Sequence, residues 1–118
     1  MTMHVFVYGS LKLHCSNHEI LKNAKFICAS HTSEMYTMLD LGKFPGVVKI
    51  DDDSIPKSKI NGEVYEIDYD ILKYLDEFEG IWFTREMVSI ECGISVWMYF
   101  LNAIPDEYEI IENGIWGF

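Results

Sequence analysis

Of the 19 Asp and Glu residues in this sequence, one falls where a carboxylate is least at ease. Residues 69–79 predict a helix in which Ile71, Leu72, Leu75 and Phe78 share one apolar stripe. Glu79 follows Leu75 by four residues and lands on that stripe. Asp70, Lys73, Asp76 and Glu77 fall mostly on the solvated side. An inward carboxylate loses hydration, so its charged form is disfavoured and its pKa rises. A carboxyl group tuned toward neutrality is what general acid–base chemistry needs. The alternative is a helix that stops at Phe78, ahead of Gly80, with Glu79 turned to water.

A second candidate is the run Tyr8-Gly9-Ser10-Leu11-Lys12. An apolar strand ends abruptly in Gly-Ser, and glycine permits backbone angles that let successive N–H groups converge on an anion. Such a turn suits a carboxylate or phosphate, or it is a plain strand-to-loop turn. The GxxxxGK[ST] spacing of a Walker phosphate loop is absent. His14 and His18 stand four apart with Cys15 between them, a spacing that can bind metal on a helix. Here it straddles a loop and a helix start, so loop and surface histidines are expected, with no metal site. Cys15 and His18 are adjacent in sequence, which is poor support for a nucleophile pair. Arg85 is the single arginine and follows Trp82-Phe83. It either clamps a substrate carboxylate or pairs with Glu86 or a neighbouring acid. Tyr65, Trp97 and Tyr99 sit on predicted strands, where core packing explains them, although Tyr99 can instead offer its hydroxyl to a pocket.

The elements that must position these groups are short. Met3–Tyr8 predicts a strand ending at Gly9, and residues 17–24 predict a short helix with Asn17 as its N-cap. Phe26–Thr32 and Met35–Leu39 predict weakly patterned strands. Phe44-Pro45-Gly46 predicts a turn, and residues 51–59 an exposed loop. Gly62–Ile67 alternates as a strand does, and Asp68 is placed to cap the helix over 69–79. Met87–Cys92 and Ile94–Leu101 predict a hairpin turning near Gly93. The tail has turns at Ala103–Asp106 and Asn113-Gly114. About six strands with two short helices give an α+β class, a small mixed β-barrel or curled sheet.

Composition bounds the partners. The chain has 118 residues, 49% hydrophobic and 14% aromatic, enough for one domain spanning 1–118 with a real core. The net charge of −10 argues against a nucleic-acid backbone as ligand. It is lopsided: residues 1–50 hold five basic and three acidic side chains, and residues 51–118 hold four and sixteen. This reads as a solvated acidic face, or as a decoy for a basic partner. No apolar run reaches the roughly 20 residues of a membrane helix, and the start MTMHVFVYGSLK lacks the marks of a signal peptide. Cys15, Cys28 and Cys92 form no CxxC pair and fit free thiols. The expectation is a soluble, cytoplasmic protein without membrane contact, monomeric or homodimeric.

The motifs VFVYGSLK (5–12), NHEIL (17–21), FPG (44–46), GEVYEID (62–68), LDEFEG (75–80), FTRE-V (83–88), WMY (97–99) and ENGIW (112–116) occur in this order. In that combination the chain resembles the gamma-glutamylcyclotransferase-like family, in the small branch that includes gamma-glutamylamine cyclotransferase. The resemblance implies a small mixed barrel with its pocket at the end of the first strand. It implies that Tyr8, Gly9, Ser10 and Leu11 bind a small γ-glutamyl substrate through backbone groups, and that Glu79 is the proton acceptor. It implies release of 5-oxoproline and a free amine, with no metal or organic cofactor. Arg85 and Tyr99 complete the expected substrate-binding set. The chain departs from the family at Leu13-His14, where relatives often have a glycine, and at Phe83, where they often have tyrosine. Two other readings remain open: a non-catalytic carboxylate- or metabolite-binding module on the same fold, and an acidic protein-interaction module.

Overall fold

The computed structural model describes residues 3–12 and 17–117. Strands β1 (Met3–Val7), β2 (Lys25–Asp40), β3 (Pro45–Val48), β4 (Ser58–Ile67), β5 (Phe83–Ser89), β6 (Ser95–Leu101) and β7 (Glu109–Ile111) form one sheet. Helix α1 (Tyr69–Glu79) connects β4 to β5 and runs into a 3-10 turn, Gly80–Trp82. The sheet order is β3-β2-β4-β1-β6-β5, with β7 paired to β2. Strand β1 is central, antiparallel to β4 and parallel to β6.

That position explains the near-continuous apolar run of β1, because both of its faces are buried. Phe6 and Tyr8 enter one core cluster with Met38, Ile60, Val96 and Met98, inside the curl of the sheet. Val5 and Val7 enter the other, with Leu72 and Leu75 of α1 and with Leu21 and Tyr99. The helix follows its apolar stripe, and the Asp68 side chain caps it by accepting the Ile71 N–H at 2.9 Å. It ends at Gly80, whose φ of 65° suits glycine and whose N–H donates to the Asp76 carbonyl.

The sheet is curled and not closed. Its two ends meet at one isolated bridge, Thr32–Ile90, beside a Glu91 N–H to His31 carbonyl bond of 2.9 Å. Buried Thr32 sits at an irregularity in β2, where its hydroxyl accepts the Ile60 N–H at 2.9 Å and donates to the Glu34 carbonyl at 2.6 Å. The side chain thus supplies the ladder bond that the irregular backbone lacks. Near this seam Lys59 pairs with Glu91. Cys28 of β2 and Cys92 of the β5–β6 turn bring their Sγ atoms to 3.6 Å.

Several expectations change. Residues 17–24 make only a four-residue 3-10 turn, His18–Leu21, and Asn17 does not cap it. The Asn17 amide donates instead to Ser10 Oγ at 2.9 Å. So few residues cannot recover the cost of nucleating an α-helix. The two weak strands expected from Phe26 and Met35 are one strand, β2, irregular between Phe26 and Cys28 and between His31 and Met35. Pro45 and Gly46 belong to β3, and the turn lies one step earlier, where the Leu41 N–H meets the Phe44 carbonyl at 3.0 Å. Pro45 opens the edge strand β3, a place where its missing N–H costs little. The hairpin around Gly93 forms, with β5 starting at Phe83. Three-residue β7 lies in the tail, where only turns were expected.

Candidate active site

The end of β1 is fixed by Tyr8. Its hydroxyl donates to the Tyr99 carbonyl at 2.8 Å and accepts the Val47 N–H at 3.3 Å, tying β1 to β6 and β3. Burial raises its pKa far above the usual phenol value, with Glu79 adding to the rise. Tyr8 is therefore a neutral strut with its proton already committed. Gly9 follows under the Pro45 ring: a Cβ there would lie 2.8 Å from Pro45 Cγ and Cδ. Close approach, and not a positive φ, demands glycine at this position.

The loop after Gly9 is pinned through its carbonyls. The Gly9 carbonyl accepts the Lys12 N–H at 3.0 Å, and the Ser10 carbonyl accepts the Asn17 N–H at 2.8 Å. The Leu11 carbonyl lies 2.9 Å from His18 Nδ1, which must carry the proton because a carbonyl only accepts. The Lys12 ammonium donates to the Trp116 carbonyl at 2.6 Å. Among the described residues no hydrogen bond occupies the N–H groups of Ser10 and Leu11. The loop thus keeps donors to offer and has spent its acceptors.

A cavity of about 200 Å³ opens beside this loop. Tyr8, Gly9, Ser10, Leu11, Glu79 and Tyr99 line it, with Asn17, Pro45 and the rings of Phe44, Phe78, Trp82 and Phe83. The volume is below the roughly 300 Å³ at which drug-sized pockets begin, and suits a small group. Phe44, Phe78 and Trp82 are substantially exposed and form the apolar mouth.

Glu79 is the last residue of α1 and faces the cavity. Burial pushes its carboxyl up to about 7. Among the described residues it has no hydrogen-bond or ion-pair partner. It is a partly buried carboxyl able to hold or release a proton near neutral pH.

Arg85 does not line the cavity. Its Nε donates to both Asp76 oxygens, at 2.9 and 3.1 Å, and its guanidinium lies 4.2 Å from the Trp97 ring centroid. Of the two readings weighed for Arg85, pairing with an acid describes its place here. The same Asp76 accepts the Tyr99 hydroxyl at 2.6 Å. Burial acts to raise the Asp76 pKa, but the hydrogen bonds from Arg85 and Tyr99 and the Arg85 charge outweigh it and hold it low. Tyr99 is pushed above the usual phenol range by burial first, then by Asp76 and Glu79.

Sequence reasoning assigned Asp76 to the solvated face and so missed it. The available signal was its position three residues before Glu79, which puts the two carboxylates on adjacent faces of α1. Phe44, Asn17 and Trp82 also line the cavity without having been singled out. His18 serves the loop through Leu11, while His14 and Cys15 lie outside the described residues. Among the described residues no group of three or more His, Cys, Asp and Glu side chains is arranged to hold a metal ion. No helix among them is long and apolar enough to cross a membrane.

Comparison with known proteins identifies the family. A family model described as "Gamma-glutamyl cyclotransferase, AIG2-like" matches residues 5–118. An Escherichia coli K12 protein named "Gamma-glutamylcyclotransferase family protein YtfP" is 32% identical over 116 residues, 97% of this chain and 96% of its own. "Gamma-glutamylaminecyclotransferase C" of Danio rerio is 36% identical over 101 residues, 76% of this chain and 63% of its own. The crystal structure of an uncharacterized Pyrococcus horikoshii protein superposes with a TM-score of 0.78 at 26% identity, covering 96% of this chain and 88% of that one.

Proposed function

The chain belongs to the gamma-glutamyl cyclotransferase, AIG2-like family, and we propose that it releases 5-oxoproline and a free amine from a γ-glutamyl amine or small γ-glutamyl peptide. The observation that carries this reading is Glu79: a partly buried carboxyl that burial pushes up to about 7, without a hydrogen-bond or ion-pair partner among the described residues, facing a small cavity beside backbone donors that no described residue occupies.

The substrate contains its own nucleophile. Its α-amine attacks its γ-carbonyl, forming the ring C–N bond, and the old amide C–N bond then breaks. The α-ammonium must lose a proton before its nitrogen can attack, and Glu79, which burial pushes up to about 7, is a stronger base than an ordinary carboxylate. Glu79 takes that proton, the freed amine attacks, and Glu79 passes the proton to the leaving nitrogen; the second proton, shed as the ring nitrogen becomes an amide, follows the same route, so the amine departs as an ammonium. Atoms balance, and Glu79 ends as it began. In this reading the Ser10 and Leu11 N–H groups hold the α-carboxylate or the developing oxyanion. Folding the flexible chain so that amine and carbonyl meet is the cavity's main task, and orientation of this kind is worth roughly 7–11 kcal/mol in favourable cases.

The test is 5-oxoproline release from a panel of γ-glutamyl amines and dipeptides, with wild type beside Glu79→Gln. Turnover by wild type, and a loss of at least about 100-fold in the folded variant, is the expected result. Glutamate as the product would mean hydrolysis instead. No turnover on any substrate would leave a ligand-binding module on the same fold.

A further inference from the structure

The Asp76–Tyr99 pair answers a question that Glu79 alone leaves open, namely how the cavity tells one end of a γ-glutamyl group from the other. A tyrosine hydroxyl has one proton to donate and lone pairs to accept with. The Tyr99 proton is spent on Asp76 at 2.6 Å, within the range of charge-assisted O–H···O⁻ bonds. Asp76 is held from its other side by Arg85, which bridges both carboxylate oxygens and lies over Trp97. Turning the Tyr99 proton toward the cavity would strip a charged acceptor of a donor. What Tyr99 shows the cavity is therefore lone pairs.

The contrast with Tyr8 is informative. Tyr8 lines the same cavity, but its hydroxyl is used for donating, to the Tyr99 carbonyl, and for accepting, from the Val47 N–H. Tyr99 spends only its proton. Glu79, which lines the same cavity and acts on Tyr99 through its charge, is also an acceptor when ionised. The loop of Ser10 and Leu11 offers donors. The lining thus combines acceptors on Tyr99 and Glu79 with residues of the Gly9–Leu11 loop, whose Ser10 and Leu11 N–H groups no described residue occupies. A γ-glutamyl group has the matching asymmetry, with an amine that donates and a carboxylate and carbonyl that accept.

We propose that Asp76 is a positioning residue that fixes the Tyr99 hydroxyl as a hydrogen-bond acceptor for the substrate's α-amine, holding that nitrogen beside Glu79. This rests on the cyclotransferase reading and deepens it: Glu79 moves the proton, Tyr99 orients the nitrogen that loses it, and Asp76 with Arg85 sets the direction in which Tyr99 points.

Two probes that differ only in the amine test it, L-glutamate and glutarate, as competitive inhibitors of 5-oxoproline release. Wild type is expected to bind glutamate about 10- to 100-fold more tightly than glutarate, the range of a hydrogen bond to a charged group. In Tyr99→Phe and in Asp76→Leu, which removes the acceptor for the Tyr99 proton, this preference should shrink at least about 5-fold, through weaker glutamate binding with glutarate binding unchanged. A merely structural role for Asp76 would weaken both inhibitors alike. Tyr99→Phe removes one hydroxyl and keeps the test alive if Asp76→Leu does not fold. An unchanged glutamate preference in folded, assayable variants would overturn this inference and leave the cyclotransferase standing. No 5-oxoproline from wild type would overturn the cyclotransferase reading, and this inference with it.

Discussion

A carboxyl group that titrates near neutrality leaves two signatures at the residue scale. If Glu79 must accept a proton, kcat/KM for 5-oxoproline release should fall on acidification, with its midpoint near pH 7. A pH–rate profile measures this, and an acid limb centred near 4.5 would mean that burial does not tune the Glu79 carboxyl. The second signature is in stability. Burial raises the Glu79 pKa in the folded state, so between about 4.5 and 7 the folded chain binds the extra proton and stability drops as pH rises. Glu79→Gln should therefore be more stable than wild type at pH 8, by on the order of 2 kcal/mol after discounting for partial exposure. That advantage should vanish toward pH 4.5, as read by urea melts at the two pH values. Glu79 was legible in the sequence because its environment is local, four residues from Leu75 on the same helix. Asp76 was not, because its partners Arg85 and Tyr99 come from β5 and β6, and a single helix pattern says nothing about strands that fold against it.

At the scale of elements, the site hangs on one helix and one loop. Asp68→Ala removes the N-cap of α1 and should cost about 1 kcal/mol in chemical denaturation, without touching the cavity. Gly9→Ala is different in kind. Its Cβ would press on Pro45 at 2.8 Å, so either β3 or the loop must move. The expected result is a loss of about 1–3 kcal/mol, together with at least about tenfold lower kcat/KM, since the loop donors shift with the backbone. Unchanged kinetics would mean that the loop does not position substrate. The same elements mark where sequence reasoning stopped. Strong periodicity gave α1 and its cap, and alternation gave most of β4 and the β5–β6 hairpin. The short helix expected over 17–24 failed because the chain there is recruited to hold Ser10 and Leu11. Strand β2 was read as two pieces because its continuity depends on Thr32 bonding to Ile60, a contact across 28 residues.

Over the whole molecule, the seam between β2 and the β5–β6 turn carries the Cys28–Cys92 pair, with burial and the neighbouring thiol raising the Cys28 pKa. Treatment with a small-molecule disulfide should join the two sulfurs. The thiols give up two protons and two electrons, and the reagent leaves as two thiols. A crosslink closing so long a loop stabilises by up to about 4 kcal/mol, so the melting temperature should rise by roughly 10 °C, and Cys92→Ser should abolish the rise. No crosslink by peptide mapping would mean that the strands cannot supply disulfide geometry. The family-level fold was readable from motif order, whereas this seam was not, because it arises from the curl of the sheet. The clasp between Lys12 and the Trp116 carbonyl, with the strut from Tyr8 to Tyr99, has a consequence for biosynthesis. The loop after β1 is held by residues 91 and 104 positions further along the sequence. A nascent chain therefore carries β1 without β4 until Ile67 has been made and without β6 until Leu101 has been made. Refolding, dominated by such distant partners, should take milliseconds to seconds, and enzymatic competence should be the last property the chain acquires.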